Sequence, residues 1–164
     1  MQSLELLTHK MIQYYKGDPK RIQHFIKVHS FARLIGIGEN LSHDEQFRLE
    51  AAALVHDIGI RPAEEKFGSC TGKLQEQEGP EPARKMLLSL GFDSSVTERI
   101  CFLVAHHHTY DEVDGMDYRI LLEADFLTNL YEDSCSAQAV QAALKNIFRT
   151  KTGTALCRTM FGID

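Results

Sequence analysis

Apolar residues recur at helical spacing along almost the whole chain, and this period most constrains the fold. It can be followed through the segments 3–16, 19–38, 43–57, 80–90, 95–108, 117–131, 136–149 and 154–161. No run of alternating β-branched and aromatic residues stands clear of it, so strands are not favoured. The sequence therefore predicts an all-α fold.

Helix boundaries are marked by local signals. Gly17 ends the first segment, and Asp18-Pro19 has the order of an N-cap followed by proline at the first helical position. Ser42 and Glu45 have the spacing of a capping box. Residues 60–79 contain three glycines and one proline but little periodic apolar content. They are therefore predicted as a long connection with at most a short helix at 63–67.

Length and composition indicate one domain. The 164 residues contain no repeat, low-complexity tract or linker, and a hydrophobic fraction of 43% is enough for a buried core. We therefore expect a single domain over 1–164. The helix at 136–149 is apolar enough to pack on the domain or on a second copy, which leaves a homodimer open.

Several functional classes are disfavoured by charge and hydropathy. The net charge is −5, whereas a nucleic-acid binder usually has a basic excess, so nucleic acid is not an expected partner. No apolar run is long enough to span a bilayer, and the N-terminus lacks the pattern of a signal peptide. The four cysteines form no C-x-x-C pair. We expect a cytoplasmic protein with free thiols and no membrane association.

The histidines differ in their surroundings. His29 lies on the stripe Phe25, His29 and Ala32, so it is predicted to face inward among apolar residues. His9, His24 and His43 lie among polar neighbours and are predicted to be surface residues. An inward histidine is a metal-ligand candidate only if it has partners.

Partners for His29 occur later in the chain. His56 and Asp57 close a helix at a turn through Ile58-Gly59, and Asp125 is embedded in the apolar run 121–127. A buried carboxylate needs a compensating charge, which a divalent cation would supply. Two imidazoles and two carboxylates suit a borderline transition metal such as iron, manganese, zinc or nickel better than calcium.

These residues resemble a known family. His29, then His56-Asp57, then Asp125 on a later helix is similar to the H…HD…D pattern of the HD superfamily of metal-dependent phosphohydrolases. The sequences around them resemble the family's helices as well, over roughly residues 20–131. The resemblance implies an HD-type helical bundle with the metal held between helices by His29, His56, Asp57 and Asp125.

The resemblance also implies an activity. Proteins of this family hydrolyse phosphate esters, often nucleotides, through a hydroxide held by a divalent metal, with cobalt among the metals used. The expected partner is therefore a small phosphorylated molecule, and Asp57 would contact both the metal and the attacking water. The candidate cations for the substrate phosphate are Arg21, Arg33, Arg61 and Lys73, of which Lys73 is placed in the irregular connection and is the candidate catalytic cation.

A second metal is suggested by His106-His107-His108. Binuclear members of the family have a His-His step in this interval and a further histidine after the HD pair, but this chain has none between 58 and 105. Our hypothesis is a second site made from His106, His107 and either Glu76 or Glu78, with Asp57 bridging. One or two ions are therefore open.

Two other functions remain open. One is a di-iron oxygenase of the HD fold, although its histidine-rich ligand set matches less well. The other is a non-catalytic sensory or binding module. The pattern of residues does not identify the substrate in any of these cases.

Overall fold

The computed structural model describes residues 3–164, and these form ten α-helices joined by turns and short loops. The described residues contain no β-strand, which confirms the all-helical prediction. None of these helices combines the length and the apolar character needed to cross a bilayer. The helices are α1 (Leu4–Tyr14), α2 (Pro19–Gly38), α3 (His43–Val55), α4 (Ile60–Phe67), α5 (Gly72–Glu78), α6 (Pro80–Ser89), α7 (Ser94–Val104), α8 (Met116–Glu132), α9 (Ala137–Asn146) and α10 (Lys151–Phe161).

The domain prediction over 1–164 includes Met1 and Gln2, which lie outside the described residues. It stays a prediction for the chain as a whole.

The predicted capping signals do mark two helix starts. The Asp18 side chain accepts a hydrogen bond from the backbone N–H of Arg21 at the start of α2. At the start of α3 the side chains of Ser42 and Glu45 each accept from the other's backbone N–H, which is a complete capping box.

The segment 60–79 is more helical than predicted, and the expectation of a largely irregular connection was wrong. It forms α4 and α5, separated by Gly68 in the left-handed conformation at φ 65°. Both helices are short, and α4 buries only Ile60 and Ala63. So few buried positions give almost no periodic signal, which is why the sequence pattern did not reveal them.

Helix α3 lies at the centre of the molecule. All residues from 49 to 55 are buried, and α1, α2, α7 and α8 pack against this helix. Helix α8 also packs against α2, so α2, α3 and α8 meet around the end of α3. Burial of apolar side chains at these contacts is the main stabilising term, at about 25 cal/mol per Å². The polar groups described below lie where these three helices converge.

The chain turns sharply after α3, and two tyrosines of the α1 end hold the turn. The Tyr15 hydroxyl donates to the carbonyl oxygen of Asp57 at 2.7 Å, and the Tyr14 hydroxyl donates to that of Ile58 at 3.1 Å. These bonds tie the two carbonyls that follow α3 to the end of α1. The backbone that carries His56 and Asp57 is therefore fixed from outside the helix.

Gly59 allows another segment to approach this turn. A Cβ atom at Gly59 would lie 2.5 Å from the carbonyl oxygen of Gln75 and 2.7 Å from the backbone nitrogen of Gly79, closer than real atoms come. The junction of α5 and α6 therefore packs directly against the turn. This contact brings Gln75 close to Asp57.

Candidate metal centre

Four side chains from α2, the end of α3 and α8 converge, and we call them the first cluster: His24, His56, Asp57 and Asp125. The Nε2 atom of His24 lies 3.1 Å from Asp57 Oδ2 and 3.1 Å from Asp125 Oδ1. The Nε2 atom of His56 lies 3.3 Å from Asp57 Oδ1 and 3.4 Å from Asp125 Oδ1. The two Nε2 atoms are 3.3 Å apart. All four groups point toward one small volume.

Hydrogen bonds at Nδ1 set which nitrogen of each ring faces this volume. His56 Nδ1 lies 2.7 Å from the carbonyl oxygen of Ala53, which can only accept, so this nitrogen carries a proton. His24 Nδ1 lies 3.2 Å from Glu132 Oε2, which is also an acceptor. In the neutral ring Nε2 then presents a lone pair. The Nε2 atoms of both rings therefore face two carboxylates, an arrangement that positive charge must balance, whether from protons on the rings or from a bound cation.

The electrostatics show how strongly the first cluster attracts positive charge. Burial alone would lower the pKa of His24, but hydrogen bonds with Asp125 and Asp57 raise it to about 10. Burial likewise opposes the charged form of His56, yet the charges and hydrogen bonds of Asp57 and Asp125 hold its pKa well above the usual value. For Asp57, burial would raise the pKa, and the neighbouring imidazoles hold it well below its usual range. Burial would also raise the pKa of Asp125, but hydrogen bonds from His24 and His56 lower it, so both carboxylates are anions at neutral pH.

His29 does not reach this cluster, and the prediction that it lies with His56, Asp57 and Asp125 was wrong. Its Nε2 atom lies 3.0 Å from Glu50 Oε1, on another side of α2. Five residues separate His24 from His29, which turns their side chains about 140° apart around a helix. The structure places His24 at the cluster instead, with 8% of its surface exposed, although the sequence pattern predicted a surface residue.

A longer stripe could have identified His24. His24, Val28, Ala32 and Ile35 follow one face of α2, and the three apolar members are fully buried. The shorter stripe through Phe25 and His29 shares Ala32 with it. Both stripes fit a helical period, and only the longer one continues to the centre of the molecule.

A second group of side chains shares Asp57, and we call it the second cluster: Asp57, Gln75, His107 and His108. The Nε2 atom of His107 lies 3.3 Å from Asp57 Oδ1 and 3.3 Å from Gln75 Oε1. The Nε2 atom of His108 lies 2.9 Å from the same Gln75 oxygen. Asp57, His107 and His108 can together offer three ligand atoms to one ion.

The orientation of the second cluster is also fixed by outer hydrogen bonds. His107 Nδ1 lies 2.7 Å from the carbonyl oxygen of Val104, so Nε2 of the neutral ring carries the lone pair. The Gln75 amide donates to the carbonyl oxygen of Cys70 at 2.8 Å, which turns Oε1 toward the histidines. Burial and the neighbouring His107 lower the pKa of His108 to about 4, so this ring is neutral at pH 7.

The residues predicted for a second site are placed differently. His106 lies outside both clusters, with its ring stacked on Phe102 and Nδ1 bonded to the Phe102 carbonyl. Glu76 accepts hydrogen bonds from the His108 backbone N–H and from a threonine hydroxyl, and Glu78 pairs with Lys66. Of the predicted set only His107 joins Asp57. His108 and Gln75 were missed, and no signal in the sequence singles out Gln75 from its polar neighbours.

The first cluster opens into a cavity of about 330 Å³. Apart from residues of the two clusters, it is lined mainly by charged and polar side chains: Asp18, Lys20, Arg21, Ile60, Asn129, Glu132 and Asp133. Arg21 therefore reaches the cavity, as predicted for a phosphate contact, but it also pairs with Asp18 and Glu64. Lys20 is exposed at the same opening.

The other predicted cations are not among the described residues that line this cavity. Arg33 lies beside Glu50 with 63% of its side chain exposed. Arg61 donates to the carbonyl oxygen of Tyr14 and pairs with Glu65. Lys73 is exposed on α5. The structure therefore does not support the predicted roles of Arg33, Arg61 and Lys73 at the substrate phosphate, because their side chains are turned elsewhere.

Comparison with known proteins identifies the family. The family model of the HD domain matches residues 21–143. The chain belongs to the HD-domain family. This confirms the resemblance seen in the sequence.

One solved structure is similar over most of the HD protein. It is the crystal structure of a predicted HD superfamily hydrolase from an uncultured Thermotogales bacterium, determined at 1.45 Å resolution. The two chains are 26% identical, the match covers 97% of this chain and 85% of that one, and the TM-score is 0.70. No curated protein matches the chain.

The donor set fits a divalent metal ion. Imidazole nitrogen and carboxylate oxygen are ligands that iron, manganese, zinc, nickel and cobalt all accept, so the chemistry does not choose among them. The outer bonds to Nδ1 are the usual supports of metal-binding histidines. His24, His56, Asp57 and Asp125 could hold one ion, and Asp57, His107 and His108 could hold another.

Proposed function

We propose that this HD protein is a metal-dependent phosphohydrolase that cleaves a small phosphate ester, such as a nucleotide or another phosphorylated metabolite. The observation that carries the proposal is the convergence of the Nε2 atoms of two histidines and of two ionised carboxylates beside an open cavity. Membership of the HD family supports hydrolysis, and so does the similarity to a predicted HD superfamily hydrolase. The choice of a phosphate ester as the substrate is our own proposal.

The chain's own residues divide the work. His24, His56, Asp57 and Asp125 would hold the cation, which when bound polarises a phosphoryl oxygen and lowers the pKa of a bound water. Asp57 belongs to both clusters, so it is the carboxylate that would hold the cation and orient an attacking water. The tyrosine bonds to the turn keep this carboxylate in position.

A phosphate substrate requires positively charged side chains at the cavity opening. Arg21 and Lys20 are the basic residues among the described residues that line the cavity. Arg21 is pre-oriented by Asp18 and Glu64, and a guanidinium can bind a phosphate by two parallel hydrogen bonds. We assign the substrate phosphate to these two side chains, which keeps Arg21 from the four predicted cations and puts Lys20 in place of the other three. A volume of about 330 Å³ suits a mononucleotide-sized substrate.

The test is a phosphatase and nucleotidase screen of the purified protein. The metal is first removed with a chelator, and the chain is then supplied anaerobically with Mn²⁺ or Co²⁺. We expect phosphate release that depends on the added metal. The H24Q variant should lose at least about 100-fold in kcat/KM, because a ligand is removed. The matched H29Q variant, on another side of α2, should stay within about threefold of wild type.

Other outcomes would redirect the proposal. Because Asp57 is shared by two clusters, the chain could hold two ions, and an iron pair would favour a di-iron oxygenase. Oxygen consumption with iron, together with no phosphate release under any metal, would support that alternative. Equal activity of wild type and H24Q in every assay, with no metal dependence, would instead indicate a non-catalytic binding module.

A further inference from the structure

His24 differs from the other cluster histidines in how its ring is held. His56 and His107 each bond a backbone carbonyl three residues earlier in their own helices. His24 instead bonds a side chain from a distant part of the chain, with Nδ1 3.2 Å from Glu132 Oε2. This anchor can be removed by substitution without disturbing a helix backbone.

Glu132 is built into α8 for this contact. Asp125, Asn129 and Glu132 have the spacing i, i+4 and i+7, so they lie on one face of the helix, and all three line the cavity. The Asn129 amide donates to Asp125 Oδ1 at 3.1 Å. The same helix face thus carries one carboxylate of the first cluster and the carboxylate that supports the opposite histidine.

Lys27 holds the other oxygen of Glu132. Its Nζ atom lies 2.8 Å from Glu132 Oε1, one helical turn after His24 on α2. The Glu132 side chain is 16% exposed, so this pair is partly shielded from solvent. The ammonium fixes one carboxylate oxygen of Glu132 and leaves the other to accept the Nδ1 proton of His24.

We infer that Glu132 is a positioning residue that fixes the tautomer and ring plane of His24, with Lys27 holding Glu132 in place. With Nδ1 bonded to Glu132, Nε2 is the nitrogen of His24 that faces Asp57 and Asp125, and a bound cation would take the place of its proton. The same bond increases the basicity of the ring as a ligand. The inference rests on the metal centre of the proposed function, but not on the reaction that this centre performs.

Cobalt binding tests this role without an activity assay. The full chain, stripped of metal, is titrated with Co²⁺ and followed by visible absorption, with a competing chelator to fix the dissociation constant. We expect E132A to bind Co²⁺ about 10- to 100-fold more weakly than wild type. E132Q should lose less, because its amide oxygen still accepts the Nδ1 proton. D133N removes one negative charge from the same cavity edge and should stay within about threefold.

Nuclear magnetic resonance gives a readout that a merely structural role would not move. Imidazole ¹H–¹⁵N correlation spectra of the metal-loaded chain report which nitrogen is protonated, and H24Q identifies the His24 signals. We expect His24 to be protonated at Nδ1 in wild type and E132Q, with a changed nitrogen shift in E132A. Circular dichroism checks that each variant is folded.

Two results would overturn the inference separately. Wild-type chain that binds no Co²⁺ would remove the metal centre itself, and with it the proposed function. Tight binding by wild type and E132A alike, or losses of equal size in E132A and D133N, would remove only the role of Glu132. If E132A does not fold, E132S takes its place, because its short hydroxyl cannot span the distance to His24, and wild-type Co²⁺ affinity with unchanged His24 nitrogen shifts in E132S would have the same effect.

Discussion

The two clusters share Asp57 but differ in what surrounds it. The first cluster adds a second carboxylate, Asp125, and two imidazoles whose lone pairs face inward. The second cluster adds two imidazoles and the neutral amide of Gln75. A divalent cation is stabilised more by two anionic ligands than by one, so the first cluster should bind metal more tightly. The number of metal ions that this protein binds should therefore depend on Gln75 and on the shared carboxylate of Asp57.

The largest effect is expected from the shared carboxylate. D57N leaves both clusters without their common anion, so we expect loss of bound metal and a fall in hydrolysis of about 1,000-fold or more. Metal analysis and steady-state kinetics measure the two effects on the same preparation. If D57N kept one tightly bound ion per chain, the clusters would not depend on Asp57 as described.

The next effect separates the clusters from each other. D125N should strip metal from the first cluster and thereby reduce the content to less than half of wild type. H107A should remove at most the ion of the second cluster, since His107 has no contact with Asp125. Metal content per folded chain, measured by plasma mass spectrometry, distinguishes these cases. Equal losses in D125N and H107A would show that the two clusters act as one site.

A gain of affinity should follow from changing the neutral ligand. Q75H replaces the amide oxygen with an imidazole beside His107 and His108, so the second cluster should bind Co²⁺ or Zn²⁺ about 10-fold more tightly. Q75A serves as the control because it removes the amide without adding a ligand. Calorimetric titration measures the affinity of each variant for the first and for the second metal equivalent. An unchanged second equivalent in Q75H would mean that Gln75 does not limit this cluster.

The smallest effect concerns His29 and Glu50, which lie outside both clusters. Burial would raise the pKa of Glu50, but hydrogen bonds from His29 and Gln46 lower it below its usual 4.5. The ionised form is thus favoured in the folded state, and its stabilisation is present above about pH 4.5 and lost as pH falls through the lowered value. We expect E50Q to cost about 1 kcal/mol in free energy of unfolding at pH 7.

Urea unfolding at pH 7 and pH 3 checks this last prediction. The cost of E50Q should shrink at pH 3, because the wild-type carboxylate is then losing its charge. H29Q keeps a hydrogen-bond donor near Glu50, so its free energy of unfolding at pH 7 should lie between those of wild type and E50Q. A cost of E50Q that is independent of pH would indicate that the charge of Glu50 does not stabilise the fold, and that His29 is not part of a structural ion pair.

The sequence predicted the helical class and the HD pair, because both depend on local signals. Helical period and a capping box are properties of neighbouring residues, and His56-Asp57 is adjacent in the chain. The short helices α4 and α5 were missed because they bury few residues. The first ligand histidine was misassigned because two stripes on α2 share Ala32 and differ only in how far they extend.

Contacts across the fold could not be predicted from periodicity. Gln75 lies beside the second cluster because Gly59 allows the α5–α6 junction to approach the turn, and its side chain there contacts His107 and His108. Glu132 meets His24 because α8 packs against α2. Neither contact has a signature in local sequence, since each depends on the packing of helices that are distant along the chain. The cytoplasmic location stays a prediction, and the homodimer stays an open alternative.

The most direct test of the metal centre is an anomalous difference map from crystals of the metal-loaded protein. With Mn²⁺ or Zn²⁺, the account predicts a peak at about 2.0–2.2 Å from the Nε2 atoms of His24 and His56 and from oxygens of Asp57 and Asp125. Any second, weaker peak should lie beside His107. A peak bound to His29, or none between α2, α3 and α8, would contradict the central claim.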